Sequence, residues 1–292
     1  MFRLGYNTNG LAHHRPAEAV ALLAELGYEG VALTPDVGSL DPLAPDPAVV
    51  AGVRRAARDA GLALAVETGA RYVLDPRRKH FPTLMEDAAV DRARRIDFLR
   101  RMVDLAADLG AETVSFWAGR APGGEVGDAA RGRSAPVALW QRLAEGVAAV
   151  LAHARGSGVR LAFEPEPGMF VERPAGFRAL RLHLGGAGAE LGLCLDVGHL
   201  LCTGDLPAGA TIRAHAEELV LVHLDDIKDG VHEHRMFGEG DLDLRDVLRA
   251  LLEVGFQGQA AVELSRDSHR GPAAAREALV HLRAALGSLG QA

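Results

Sequence analysis

Short apolar runs alternate with longer amphipathic segments along the whole chain. Eight such runs stand out: Leu4 to Asn7, Gly30 to Thr34, Ala63 to Glu67, Thr113 to Trp117, Arg160 to Glu164, Gly192 to Asp196, Leu219 to His223 and Ala260 to Glu263. They are continuous rather than alternating, which suits strands buried on both faces. Between them lie segments of helical period. Pro16 to Leu26, Arg92 to Leu109 and Leu139 to Arg155 are each followed at once by a glycine, Gly27, Gly110 and Gly156, as a helix stop. Strand, helix, strand in this rhythm predicts βα units and a parallel sheet. The count of eight, and the lack of a GxGxxG after the first run, favour a (β/α)8 TIM barrel, a parallel eight-stranded barrel with outer helices, over an open doubly wound sheet.

No linker interrupts the pattern, so residues 1–292 read as a single domain. The two longest non-periodic stretches, Thr68 to Ala89 and Leu224 to Asp241, follow strands and are expected on the barrel face that builds active sites. Gly119 to Arg133 reads as a mobile loop on that face, and Pro272 to Gln291 as a closing helix with a frayed tail.

Composition narrows the picture. With 48% hydrophobic and 24% charged residues over 292 positions, the chain buries a large core and needs no disulfide or structural metal to fold. Cys194 and Cys202 lack a CxxC spacing and fit a reduced compartment. A net charge of −7 speaks against a general nucleic-acid binder. The start, MFRLGYNTNG, has no secretory pattern, and no apolar run is long enough for a bilayer, so the expectation is a cytoplasmic protein without a membrane partner.

Chemistry concentrates at the strand ends. The third run ends in Glu67, the fifth in Glu164, the sixth in Asp196, the seventh in His223 and the eighth in Glu263. In a closed barrel these ends converge on one rim. One histidine and three carboxylates form an oxygen and nitrogen ligand set for one divalent metal ion, Mn2+, Mg2+, Co2+ or Zn2+. A lone Asp or Glu at a strand end is ordinarily a helix cap. Four consecutive strands each ending in a ligand-type residue are hard to explain by capping.

The motifs FEPEPG (Phe163 to Gly168), LDVGH (Leu195 to His199), VHLDD (Val222 to Asp226) and VEL (Val262 to Leu264) resemble the xylose-isomerase-like TIM-barrel superfamily. That group holds sugar and sugar-phosphate isomerases and epimerases, inosose-processing enzymes and type IV apurinic endonucleases. The resemblance implies Glu164, Asp196, His223 and Glu263 as metal ligands, with Glu164 and Glu263 as the catalytic acid/base pair. His199 would contact a substrate oxygen or a second metal, and homo-oligomers are common in the group. Chemistry agrees: removing a proton next to a carbonyl needs a placed base and stabilisation of the enediolate.

Several positions depart from the pattern. Many relatives carry His-x-Lys-Asp after strand seven, whereas this chain has His223-Leu-Asp225-Asp226, with Lys228 two residues on. His232-Glu-His234 resembles the Asp-x-His pair of the endonucleases, with a solvated loop as the plain alternative and His234 as a substrate or metal contact as the sharper one. The histidines which that class needs after strands two and three are missing, and the acidic balance gives DNA no phosphate-binding surface. Arg71, Arg77, Arg78, Lys79 and His80 make a basic run, either solvated or a clamp for a substrate anion. Glu67, Arg71, Trp117, Glu166 and Glu172 are further candidates for substrate contact, with core packing as the alternative for Trp117 and helix capping for Glu166.

The expectation is a metal-dependent isomerase or epimerase of a sugar, sugar phosphate or cyclitol-like compound. An inosose or keto-sugar dehydratase using the same site, an apurinic-endonuclease-like phosphoester hydrolase and a non-catalytic sugar-binding barrel are the alternatives.

Overall fold

The computed structural model describes residues 1–69, 71–124, 126–127 and 136–290. Its strands are β1 (Arg3–Asn7), β2 (Gly30–Leu33), β3 (Ala63–Glu67), β4 (Thr113–Phe116), β5 (Arg160–Phe163), β6 (Gly192–Asp196), β7 (Leu219–Leu224), β8 (Asp226–Lys228), β9 (Val231–Arg235) and β10 (Gln259–Val262). The helices are α1 (Pro16–Leu26), α2 (Pro47–Ala60), α3 (Ala89–Leu109), α4 (Val137–Ala154), α5 (Pro174–His183), α6 (Val197–Thr203), α7 (Ala208–Ala214), α8 (Leu244–Glu253) and α9 (Gly271–Leu289). Eight strands form a closed barrel in the order β1, β10, β7, β6, β5, β4, β3, β2, which is the architecture that the apolar runs predict. Helix α1 ends at Gly27 and α3 at Gly110, with φ of 94° and 75°, a left-handed cap that any side chain would strain.

Leu224 to Asp241 departs from the expectation of an irregular stretch, because β8 and β9 pair there as an antiparallel hairpin. Asp229 and Gly230 turn it with positive φ, 53° and 66°. The alternation was hidden because His232, Glu233, His234 and Arg235 are all polar. Of the segments predicted as a mobile loop and a frayed tail, residues 125, 128–133 and 291 lie outside the described residues.

By packing, the chain divides into two compact units. One comprises Met1–Leu33, Gly52–Leu64 and Cys194–Ala292, and the other Thr34–Ala51 and Ala65–Leu193. In the first, β1 pairs in parallel with β2 and β10, and β10 with β7. Gln259 fills the space beside Gly5 and Gly30, where an added Cβ would come within 2.6 and 2.5 Å of its side chain. In the second unit, Phe116 packs edge-on to Phe163 at 5.5 Å, and Phe163 stacks toward Phe177 of α5 at 6.4 Å. Those two phenylalanines therefore face the helices, and strand alternation turns Ser115 and the position after Phe163, Glu164, to the opposite face.

One buried side chain secures the hairpin. Asp226 accepts backbone N–H groups from Ile227, Gly238, Gly240 and Leu242, each at 2.9 Å. Asp226→Ala would strand these donors and is expected to lower unfolding stability by about 2–4 kcal/mol, read from urea midpoints. An unchanged midpoint would mean that the hairpin is held by something else.

Candidate metal centre

In the first unit, β6, β7 and β10 deliver a compact polar cluster. Asp196 ends β6 and caps α6, its Oδ1 accepting the His199 N–H at 3.0 Å. Capping thus accounts for one oxygen only. The other, Oδ2, is buried and lies 3.7 Å from His199 Nε2, and the Asp225 carboxyl stands within hydrogen-bond reach of the Asp196 side chain. His223 Nδ1, from β7, sits 3.0 Å from Oε2 of Glu263, the residue after β10. Asp196, His223 and Glu263 each offer a ligand atom within 4.8 Å of the others. Asn9, in the 3-10 turn Thr8–Leu11 after β1, donates from Nδ2 to Glu263 Oε1 at 2.8 Å.

A second group adjoins the first. Asp225 is fully buried, and its Oδ2 lies 3.1 Å from His234 Nδ1. Gly198 makes room for it, since a Cβ there would come within 2.2 Å of Asp225 Oδ1. His234 Nδ1 also lies 3.2 Å from the Glu263 carbonyl oxygen. His232 Nε2 stands 3.0 Å from His199 Nε2 and 3.2 Å from His234 Nε2, so three imidazoles converge. These histidines form one set of mutually close ligand atoms, and Asp196, Asp225 and His234 form another.

The electrostatics separate the three carboxylates. Burial opposes ionisation of Glu263, but His234, His223 and His199 outweigh it and hold the carboxyl below its usual range. Asp196 behaves alike, with burial overcome chiefly by His199 and His234. Asp225 goes the other way: burial, then the charges of Asp196 and Glu263, push it well above the usual range. His232 is pushed down to about 4 by burial of its ring, then by His199 and His234.

The remaining sequence candidates divide. Lys228 pairs with Asp241 at 2.6 Å on the surface, so it does not take the place of the lysine in His-x-Lys-Asp. In the second unit, Glu164 is buried directly after β5, its N–H bonded to the Phe116 carbonyl at 2.8 Å. Glu67 ends β3, buried, and accepts the Thr34 hydroxyl at 2.6 Å. Glu166 caps no helix; it opens the tight turn to Met169, where Glu172 accepts the Gly168 N–H at 2.9 Å. Arg71 stands partly exposed, 4.0 Å from Asp36. Trp117 is buried, with the His80 ring edge-on at 5.3 Å. His80, at the end of the basic run, bonds its backbone N–H to the Arg71 carbonyl at 2.6 Å.

The family model described as "Xylose isomerase-like TIM barrel" matches residues 20–285. The chain belongs to this family. Among curated proteins it is similar to an L-ribulose-5-phosphate 3-epimerase of Shigella flexneri serotype 5b, 26% identical over 216 residues, with 72% of this chain and 70% of that protein covered. A xylose isomerase of Thermus caldophilus is 36% identical over 149 residues, which take in 50% of this chain and 37% of that enzyme. Among solved structures, an L-ribulose 3-epimerase shares the fold at a TM-score of 0.78 and 19% identity, over 100% of this chain and 96% of that one. A protein of Sinorhizobium meliloti 1021 matches at 0.69 and 26% identity, over 96% and 98%. Among the described residues, no helix is long and apolar enough to cross a membrane.

Protons and the histidine group are linked. The His232 pKa is depressed from 6.5 to about 4, so the unfolded chain takes up this proton first. Stability of the metal-free protein should therefore be intact above pH 6.5 and fall as the pH drops toward 4. His232→Gln should flatten that slope in urea titrations; an unchanged slope would place the linkage elsewhere.

Proposed function

We propose that this protein is a metal-dependent isomerase or epimerase acting on a small sugar or sugar derivative next to its carbonyl carbon. The observation that carries the reading is the convergence of Asp196, His223 and Glu263, buried side chains whose ligand atoms lie within 4.8 Å of one another. Buried carboxylate oxygens grouped with an imidazole nitrogen suit a divalent cation. Asp196, His223 and Glu263 would hold it. Glu164 would join them, supported by its burial at the end of β5, the neighbour of β6 in the strand order, and by the family motif FEPEPG.

When bound, such an ion supplies Lewis-acid polarisation of the substrate's carbonyl and hydroxyl oxygens. The chain's own residues supply the proton chemistry. Glu263 is kept ionised by its histidines, and Asn9 fixes its Oε1, so it is ready to accept a proton from carbon. By the family motif, Glu164 would act as the partner acid that returns a proton and inverts the carbon. His199 lies beside Asp196 and His234 beside Glu263, and both would orient substrate hydroxyls. The epimerases and isomerases among the similar proteins support this class over hydrolysis.

The test is a Mn2+ titration of chelator-treated protein. About one ion per chain is expected, with affinity at least about a hundredfold weaker in Asp196→Asn and Glu263→Gln. The loaded protein should then exchange the carbon-bound hydrogen next to the carbonyl of a ketose with solvent deuterium, and Glu263→Gln should slow this by about 10²–10⁴-fold. Product lighter by one water would instead identify a dehydratase. Two ions per chain would mean that His199, His232 and His234 are loaded as well, and would favour phosphoester hydrolysis. Failure to bind any added ion would refute the proposal.

A further inference from the structure

The second unit contains a feature that the metal chemistry does not use. Among its described residues, five buried side-chain polar atoms lack a hydrogen-bond partner: Thr68 Oγ1, His80 Nδ1, Arg95 Nη1, Ser115 Oγ and Trp117 Nε1. All five come from one stretch, β3, its following loop, α3 and β4. Arg95 Nη1 and Trp117 Nε1 can only donate, and the Thr68 and Ser115 hydroxyls can donate as well, so an acceptor would suit all four. Among the described residues, the first unit leaves both kinds open, the donors of Tyr6, Arg235 and Gln259 as well as the Asn9 Oδ1 acceptor.

Arg95 is the unusual member. Its residue is 2% exposed, and its guanidinium lies 5.1 Å from the Phe98 ring centroid. Other arginines of α3 are paired: Arg94 with Asp91 and Arg101 with Asp97. Among the described residues, no carboxylate faces Arg95, and burial alone pulls its pKa down to about 10. A fully buried cation without a counter-charge is strongly unfavourable unless something external completes it.

The surroundings place this charge near the strand ends. β3 and β4 are parallel neighbours, with Glu67 opposite Ser115 and the Thr68 N–H bonded to the Ser115 carbonyl at 3.1 Å. In a βαβ unit the connecting helix runs back along the strands, so the first turns of α3 stand beside the strands' C-terminal ends, and Arg95 lies in its second turn. Trp117 follows β4 there, with His80 against it. After burial, the nearby charges of Lys79, Arg95 and Arg71 disfavour a proton on His80, opposed by a hydrogen bond to the Gly69 backbone. His80 and Arg71 hold left-handed backbone, φ 69° and 23°, unusual for side-chain-bearing residues and typical of functional loops.

The geometry points to an oxyanion subsite: a phosphoryl or carboxylate group of the substrate docks on Arg95, with Trp117 Nε1 and Thr68 Oγ1 as neutral donors. Arg suits both groups, because its fork binds two oxygens at once. The atoms are shut from solvent, so an anion reaches them only when His80 moves off Trp117. This deepens the sugar-derivative reading and rests on it for the substrate, but the binding step itself needs no metal.

The experiment uses the full chain in chelator, with inorganic phosphate, acetate, or chloride at matched ionic strength. Two readouts are followed: the thermal midpoint, and Trp117 fluorescence in a Trp140→Phe background. Phosphate or acetate should raise the midpoint and change the fluorescence where chloride does not. Arg95→Met should weaken that response by about tenfold or more, while being no less stable than wild type in chloride. Arg77→Ala, which alters an exposed arginine of the same loop, should respond as wild type does. A stronger response to phosphate assigns sugar phosphates, and one to acetate assigns sugar acids. If Arg95→Met does not fold, Arg95→Lys and Trp117→Phe carry the test and should each weaken the response. A wild-type protein indifferent to both anions, or an Arg95→Met protein that responds fully, overturns the subsite. Mn2+ uptake without any anion response would sink this inference alone. Anion binding without Mn2+ uptake would leave it standing and sink the metal reading.

Discussion

Three carboxyl groups are crowded into the interior of one unit, and the local architecture depends on how their repulsion is managed. Two unit charges 4 Å apart at an effective dielectric near 20 interact by about 4 kcal/mol, so Asp196, Asp225 and Glu263 cannot all ionise without compensation. The protein uses several devices together. Burial and its charged neighbours push the Asp225 carboxyl toward its neutral form, Asp196 gives one oxygen to the start of α6, and Glu263 is held between an imidazole and the Asn9 amide. What these devices leave over is a buried negative surplus, the condition under which a cation stabilises a fold and its site at once.

The backbone is shaped around this crowding. The β6–α6 junction is abrupt, so Asp196 is both strand end and helix cap, and Gly198 leaves the space that the Asp225 side chain occupies. The hairpin then brings His232 and His234 back over the same group. Each adjustment is local and small, but they are interlocked. A methyl group at position 198 would push on Asp225, and through it on His234.

How much of this was legible in the sequence follows from what periodicity records. The barrel was readable because buried parallel strands leave continuous apolar runs and their helices leave caps. Glu164, Asp196, His223 and Glu263 were readable because a charged residue closing an apolar run is conspicuous. Asn9 was not, since it lies two residues past a strand, within a 3-10 turn, and an amide in YNTNG looks like ordinary turn chemistry. The hairpin was missed because its polar side chains erase the period-two signal. Arg95 was invisible for another reason. Arginines are frequent along α3, and only packing distinguishes the one turned inward from its surface neighbours.

The way in which Asp226 ties the hairpin has a kinetic side. A loop bearing two histidines would ordinarily sample many orientations, and a ligand would have to freeze them on arrival. With four amide hydrogens gathered on one carboxylate, much of that ordering is complete before any ligand is met. Encounter then selects among few conformers, and differences in affinity among ligands at these histidines are carried by how fast they leave rather than by how fast they settle.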